Sequence, residues 1–270
     1  MELKFRLPPK GFKRLFYDIE TSPNIGLFWS ASWKANIPHD NIIKERSVIC
    51  VCYKWEGQKQ VHALQWDENQ CDKKLLQELM AVIEEADEVV AHNGDNFDEK
   101  WIRTRCLKHG IDCPPKLNSL DTLKKARSHF RFNSNRLDYI GKFLFGEGKL
   151  DTGGFGLWKS ILLDNCGKSM AKMVRYCKKD VQLLEDVYHK LRPYIHHNTN
   201  AAVATGGDKW ECPNCGSSRV WVKGRRYTKT GIPRVRMRCQ EDGCKTHYTI
   251  SNKAWMTKLE EEMAEKVRNK

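Results

Sequence analysis

The chain has 270 residues, 40% of them hydrophobic and 10% aromatic, which excludes a disordered chain and allows one domain with a core plus a smaller module. Its formal net charge of +13 indicates a polyanionic partner, and nucleic acid is the first candidate. The sequence has no long apolar run and no apolar core of a signal peptide near its start. We therefore expect a cytoplasmic protein that does not enter a membrane.

The N-terminal part of the chain begins with strand patterns. Apolar and alternating runs predict three strands in succession, at residues 13–20, 47–55 and 59–66. A helix with one apolar side follows at 73–85, and a short strand at 87–93. The segment between the second and third strands is too short for a crossover helix, so this part of the sheet is expected to be antiparallel.

Helices then dominate the pattern. They are predicted at residues 96–109, from an N-cap at Asp121 onward, at 135–145 and at 169–191. Three consecutive strands followed by alternating strands and helices favour an α/β fold. The sequence thus predicts an RNase H-like mixed sheet flanked by helices.

We predict four regions along the chain. A large α/β domain covers residues 1–195, and a linker rich in polar and small residues covers 196–208. Paired cysteines define a small module at 209–252, and a terminal helix covers 253–270. One side of the terminal helix is apolar. The sequence allows this side to pack either on the small module or against a second chain.

Four acidic residues occupy positions where a core would normally hold apolar side chains. Asp18 and Glu20 lie two residues apart in a buried strand pattern, so they point to the same face. Asp180 fills a gap in the apolar stripe of the last long helix, one turn after Tyr176. Asp98 follows a predicted strand at the start of a helix, where the helix dipole is an alternative explanation.

A shared metal site would explain these acids together. Carboxylate oxygens are the ligands that Mg²⁺ and Mn²⁺ prefer, and two such ions about 4 Å apart can clamp a reacting phosphodiester. We therefore expect Asp18, Glu20, Asp98 and Asp180 to converge on two divalent cations.

Three short motifs resemble the DEDD superfamily of 3′–5′ exonucleases, in its tyrosine-bearing branch, which includes the proofreading domains of DNA polymerases. They are DIET (18–21), NGDNFD (93–98) and YCKKD (176–180). The resemblance implies that Asp18, Glu20 and Asp180 hold the cation that activates water, and that Asp18 and Asp98 hold the second. It also implies that Tyr176 orients the water, that Thr21 and Asn93 lie near the terminal nucleotide or the metals, and that nucleoside 5′-monophosphates are released.

The insertion after the first strand is rich in aromatic residues, including Phe28, Trp29 and Trp33. Such residues could stack unpaired bases. We expect them instead to cover an edge of the core, which is the more common role.

The small module carries two cysteine pairs, Cys212 with Cys215 and Cys239 with Cys244. Their spacing predicts one structural Zn²⁺ held by four thiolates, with His247 as an alternative fourth ligand. The module resembles the zinc ribbons of insertion-sequence transposases and transcription factors. Between the pairs the chain is basic and has no acid, and we expect this hairpin to contact nucleic acid through residues that include Arg225, Arg226, Arg234 and Arg236.

The combined prediction is a metal-dependent 3′–5′ exonuclease acting on single-stranded or frayed DNA, in replication or repair, with a replicative polymerase as a possible partner. A 3′–5′ exoribonuclease and an RNase H-fold transposase or resolvase are the alternatives. The tyrosine of YCKKD argues against the transposase class. A non-catalytic module is disfavoured because all four acids and Tyr176 are present.

Overall fold

The computed structural model describes residues 5–30, 37–146, 148 and 153–268. The strands in chain order are β1 (Arg14–Thr21), β2 (Ile25–Gly26), β3 (Ile42–Lys44), β4 (Val48–Trp55), β5 (His62–Gln65), β6 (Glu88–Ala91), β7 (Ser119–Asp121), β8 (Val220–Tyr227), β9 (Pro233–Cys239) and β10 (His247–Ser251). The helices are α1 (Lys73–Glu84), α2 (Asp98–His109), α3 (Thr122–His129), α4 (Leu137–Phe145), α5 (Gly156–Leu163), α6 (Gly167–Leu191), α7 (Ala201–Ala204) and α8 (Asn252–Arg268).

The larger sheet has five strands in the order β5-β4-β1-β6-β7. β4 pairs antiparallel with both β1 and β5, whereas β6 pairs parallel with both β1 and β7. The sheet is therefore mixed. Its antiparallel half consists of β1, β4 and β5, which correspond to the three strands predicted in succession. This confirms the predicted α/β class with an RNase H-like mixed sheet.

Strand β1 is the central strand of the sheet, and its side chains are buried on both faces. Phe16 packs into the core on the side of α6, while Leu15 and Tyr17 pack into the core on the side of α1 and α2. All three side chains are fully buried. Since side chains alternate along a strand, Asp18 follows Phe16 onto the α6 side.

The structure adds elements that the sequence did not indicate. Helix α5 forms after a glycine-rich segment, because Leu157 and Ile161 bury their side chains in the core next to α6. The segment predicted as a polar linker contains helix α7, in which Ala201 and Ala202 are buried. Strands β2, β3 and β7 were also not predicted.

The expectation for the aromatic insertion is wrong for the two residues that can be tested. Phe28 is 56% exposed and Trp29 is fully exposed, so neither covers the core. Trp33 lies outside the described residues.

The C-terminal module is an antiparallel sheet in the order β10-β9-β8, followed by α8. The first turn of α8 packs on this sheet through Ala254 and Trp255. Farther along α8, Met263 and Val267 are exposed. None of the helices in the described residues has both the length and the apolar character required to cross a bilayer.

Candidate active site

Three carboxylates from two distant segments meet at the end of β1. One oxygen from each of Asp18, Glu20 and Asp180 lies within 4.8 Å of the others, and we call these three residues the acid cluster. Asp18 and Glu20 share a face of β1, as their spacing predicts. Asp180 is on α6, and its side chain is buried.

Helix α6 presents Asp180 because the rest of its stripe is apolar. Met173, Cys177 and Leu184 are buried on the same side of the helix. The Sγ of Cys177 donates to the backbone oxygen of Asp18 at 3.4 Å, which fixes α6 against β1. The two segments are therefore held in register by packing next to the acid cluster.

Asp98 is the first residue of α2 and is only 2% exposed. Its Oδ1 accepts a hydrogen bond from the backbone N–H of Ile19 at 3.1 Å. Ile19 is the residue between Asp18 and Glu20 on β1, so Asp98 lies next to the part of β1 that carries these two acids. Burial, and next to it the charge of Asp18, raise the pKa of Asp98 well above its ordinary value. For Asp98 to be ionised near neutral pH, a positive charge must lie close to its carboxyl group.

The chemistry of these donors fits a hard divalent cation. All four side chains offer oxygen, and divalent cations such as Mg²⁺ and Mn²⁺ bind oxygen-rich sites. A bound cation would also offset the repulsion that raises the pKa of Asp98.

Another group of potential ligands, Cys71, Asp72 and His109, does not fit a metal site. Arg105 donates to both carboxylate oxygens of Asp72, at 2.7 and 2.8 Å. The backbone N–H of Val48 donates to the same carboxylate. Asp72 therefore ties α1, α2 and β4 together as a structural residue.

Tyr176 is half-buried on α6, one turn before Asp180. Residues four apart on a helix are surface neighbours, so the ring lies on the side of the helix that carries the acid cluster. Its ring also packs against the core on the α6 side of the sheet.

Thr21 borders a cleft next to the acid cluster, which we call the Trp158 cleft. This cleft has a volume of about 420 Å³ and is lined by residues that include Glu20, Thr21, Arg46, Phe155 and Trp158. The indole N–H of Trp158 donates to the backbone oxygen of Thr21 at 3.1 Å. Sequence reasoning missed Arg46, Phe155 and Trp158, in part because helix α5, which carries Trp158, was not predicted.

Asn93 does not line the Trp158 cleft. It borders a second cleft of about 630 Å³ together with His92, Arg127 and Arg136. Its backbone has φ +71°, in the left-handed region, and its N–H donates to Oδ1 of Asp121 at 3.0 Å. Asn93 thus shapes the turn between β6 and α2.

The four cysteines of the C-terminal module form one cluster with all their sulfurs within 4.8 Å. The Sγ atoms of Cys212 and Cys244 are 3.7 Å apart, as are those of Cys215 and Cys239. Four thiolates at about 2.3 Å from a zinc ion would stand about 3.8 Å from one another, so the site fits Zn²⁺. His247 is exposed and does not belong to the cluster.

The register of the module divides its arginines between two faces. Arg226 lies directly opposite Arg234, and Arg236 follows Arg234 on the same face of β9. Arg225 lies opposite Val235 and therefore belongs to the other face. The structure thus brings three of the four expected arginines together and separates Arg225 from them.

Similarity to known proteins agrees with this geometry. Over 54 residues the chain is 48% identical to the PolC-type DNA polymerase III of Ureaplasma parvum, a match that covers 20% of this chain and 4% of that protein. The fold is similar to that of the family B DNA polymerase from the archaeon Pyrobaculum calidifontis, with a TM-score of 0.52 and 15% identity. That match covers 69% of this chain and 25% of the polymerase, and at this identity it shows the fold alone.

The family model of the RNase_H superfamily matches residues 42–192, which is more than half of the chain. This match includes Asp98, Tyr176 and Asp180, whereas Asp18 and Glu20 precede it. The mixed sheet and the carboxylates at the end of its central strand are in keeping with the match. The chain therefore belongs to the RNase H superfamily.

Proposed function

We propose that this protein is a metal-dependent 3′–5′ exonuclease of the tyrosine-bearing DEDD branch, which hydrolyses the terminal phosphodiester of a DNA strand and releases nucleoside 5′-monophosphates. The observation that carries the proposal is the convergence of Asp18, Glu20 and Asp180 within 4.8 Å. The buried Asp98, whose pKa is raised by burial and by the charge of Asp18, is the fourth acid of the proposed site.

Each acid has a role in this proposal. Asp18, Glu20 and Asp180 would hold one Mg²⁺ or Mn²⁺, and Asp18 together with Asp98 would hold a second. When bound, the cations would polarise the phosphodiester and lower the pKa of the attacking water. Asp98 would serve as a ligand only when deprotonated, because its proton and a cation compete for the same oxygens.

Tyr176 would orient the attacking water. It lies one turn before Asp180 on α6, on the side of the helix that carries the acid cluster, which supports this role. A hydroxyl can both donate and accept a hydrogen bond, so it can hold a water in one direction. The acids would then hold the cations, and Tyr176 would fix the orientation of the attacking water.

The Trp158 cleft would receive the terminal nucleotide. Its volume of about 420 Å³ falls in the range of small-ligand sites. It combines aromatic surfaces from Phe155 and Trp158 with the guanidinium of Arg46, which suits a base beside a phosphate. Glu20 lines the same cleft, so a nucleotide there would lie next to the acid cluster.

One finding supports DNA rather than RNA as the substrate and a role next to a polymerase. The protein that is 48% identical to this chain over 54 residues is named as a DNA polymerase, although the match covers only 4% of that protein. The zinc-ribbon module would add a basic contact to the phosphate backbone through Arg226, Arg234 and Arg236. An exoribonuclease and an RNase H-fold transposase or resolvase are the competing functions, and substrate sugar and strand ends distinguish them.

A time course on 5′-labelled single strands of DNA and RNA tests the proposal. With Mg²⁺ or Mn²⁺, the protein should shorten a linear DNA strand from its 3′ end and leave a circular strand intact. Asp18→Ala and Asp98→Ala should abolish the shortening. Cleavage of the circle would favour the transposase class, and faster shortening of RNA would favour the exoribonuclease. No cleavage with either cation would overturn the catalytic proposal.

A further inference from the structure

The sheet of the zinc-ribbon module has one apolar face and one basic face. Val235, Met237 and Ile250 are buried on the apolar face, where Trp210 and the first turn of α8 cover them. The register aligns the opposite face in three rows across the strands, Trp221–Arg238–His247, Gly224–Arg236–Thr249 and Arg226–Arg234–Ser251. We call these rows the basic face.

The basic face concentrates positive charge that nothing within its rows offsets. Arg226 and Arg234 are directly opposite each other, an arrangement that destabilises a sheet. A side chain at Gly224 would come within 3.2 Å of the guanidinium of Arg236, so glycine makes room for this arginine. Bound anions would relieve the repulsion. The successive phosphates of a nucleic-acid backbone are anions that Arg226, Arg234 and Arg236 could bind together.

The last row of the basic face opens into a cleft of about 670 Å³ between β10 and the linker. Arg226, Arg234 and Lys209 contribute to its lining. Asp and Glu account for 34 of the 270 residues of the chain, yet none of the described residues that line this cleft is acidic. The absence of carboxylates favours a polyanion over a cationic or mixed-charge partner.

The linker beside this cleft contacts the end of the large sheet that lies away from the acid cluster. Asn198 donates to the backbone oxygen of Ser119, where β7 begins. On β1, Asp18 lies four residues beyond the first residue, or about 13 Å along the strand. On α6, Asp180 lies about 16 Å from the last residue, Leu191, after which the chain enters the linker.

Contacts with the nuclease core fix the position of the module. The backbone N–H of Arg6 donates to the oxygen of Gly243 at 3.1 Å, and its guanidinium pairs with Glu241 at 3.4 Å. The backbone oxygen of Arg6 in turn accepts a hydrogen bond from Arg192, just after α6. The segment around Arg6 therefore ties the cysteine cluster region to the core.

We propose that the basic face binds the sugar-phosphate backbone of the same strand whose 3′ end is hydrolysed, at a point upstream of the scissile bond. This inference rests on the proposed function. The separation of about 15 Å between the linker and the acid cluster corresponds to about four nucleotides at the spacing of about 3.4 Å per nucleotide of a stacked strand. The basic face therefore distinguishes long strands from short ones and takes no part in hydrolysis.

Salt dependence of binding tests the proposal. The variant Arg226→Gln/Arg234→Gln/Arg236→Gln is compared with the natural protein on a 5′-labelled 30-nucleotide single strand, by fluorescence anisotropy without divalent cation. Removing one contact between an arginine and a phosphate lowers the slope of log affinity against log salt by about 0.7, so a decrease of about 2 is expected. The variant Lys73→Gln/Lys74→Gln/Lys108→Gln removes the same charge from exposed positions on α1 and α2 and should leave the slope unchanged.

Two further measurements separate this proposal from the proposed function. Below saturation, the natural protein should hydrolyse a 30-nucleotide strand faster than a two-nucleotide strand. The arginine variant should lose this difference, whereas the lysine control should keep it, and Arg→Lys at the three positions should keep the slope. If the arginine variant loses its zinc, Arg236→Gln alone should lower the slope by about 0.7. An arginine variant with the slope of the lysine control overturns the proposal and indicates a protein-docking face. Failure of hydrolysis in the natural protein, with the slope change intact, overturns the proposed function alone.

Discussion

Replacing Asp98 by asparagine is expected to stabilise the cation-free protein and to abolish hydrolysis. Asp98 is buried next to Asp18, and both features raise the pKa of its carboxyl above the ordinary value of 3.8. The folded state therefore keeps this proton to a higher pH than the unfolded state does. Compared with an uncharged residue, the contribution of Asp98 to the free energy of unfolding is most favourable below pH 3.8. That contribution is lost as pH rises through the raised pKa.

The size of the effect has a ceiling set by pH. Each pH unit between the ordinary pKa of 3.8 and the raised one is worth about 1.4 kcal/mol, so the gain from asparagine at pH 7 is at most about 4 kcal/mol. Asparagine can still accept the hydrogen bond from Ile19, so the change removes the charge with little change in shape.

Urea unfolding in metal-free buffer at pH 4, 5.5 and 7 measures this difference in the free energy of unfolding. The advantage of Asp98→Asn should grow with pH, whereas Asp164→Asn, an exposed control, should show no such trend. Saturating Mg²⁺ at about 100 times its dissociation constant should add about 2.7 kcal/mol to the natural protein and much less to the variant. Equal stability of the two proteins at all three pH values would refute the electrostatic reasoning.

Three further outcomes follow from the same contacts. Tyr176→Phe should lower the rate of hydrolysis by about 10²-fold while leaving Mg²⁺ binding unchanged, as measured by single-turnover kinetics and calorimetry; an unchanged rate would remove Tyr176 from the mechanism. Arg105→Ala should reduce the free energy of unfolding by about 3–5 kcal/mol in urea titrations, because it leaves the buried Asp72 without its main partner. Cys212→Ser should lower the zinc content below one ion per chain and make the C-terminal module sensitive to protease; a variant that keeps a full equivalent of zinc would contradict the four-thiolate site.

The convergence of the acid cluster could be predicted because each of its three members carries a local signal. Asp18 and Glu20 break an apolar strand at spacing two, and Asp180 breaks an apolar stripe at helical spacing. Asp121 was likewise predicted as an N-cap, and its carboxylate accepts from the backbone N–H of Leu123 and Lys124. Such signals depend on periodicity within one element, which the chain shows without knowledge of its neighbours.

Other features could not be predicted because they depend on packing between distant segments. Helix α5 follows Gly153 and Gly154, both with positive φ, and its sequence is short and rich in apolar residues on more than one side. Only the core next to α6 makes that segment a helix and brings Trp158 to the backbone of Thr21. The exposure of Phe28 and Trp29 is of the same kind, because composition does not show which face of an insertion meets the core.

The most direct test of the account labels the last phosphodiester of a linear DNA strand and follows the label in a single turnover with Mg²⁺. We expect the label to appear as a nucleoside 5′-monophosphate from the 3′ end, and Asp180→Asn, which changes one member of the acid cluster, to release none. Label that appears first in a longer oligonucleotide, or equal release by the Asp180→Asn variant, would contradict the claim that the acid cluster hydrolyses the strand from its 3′ end.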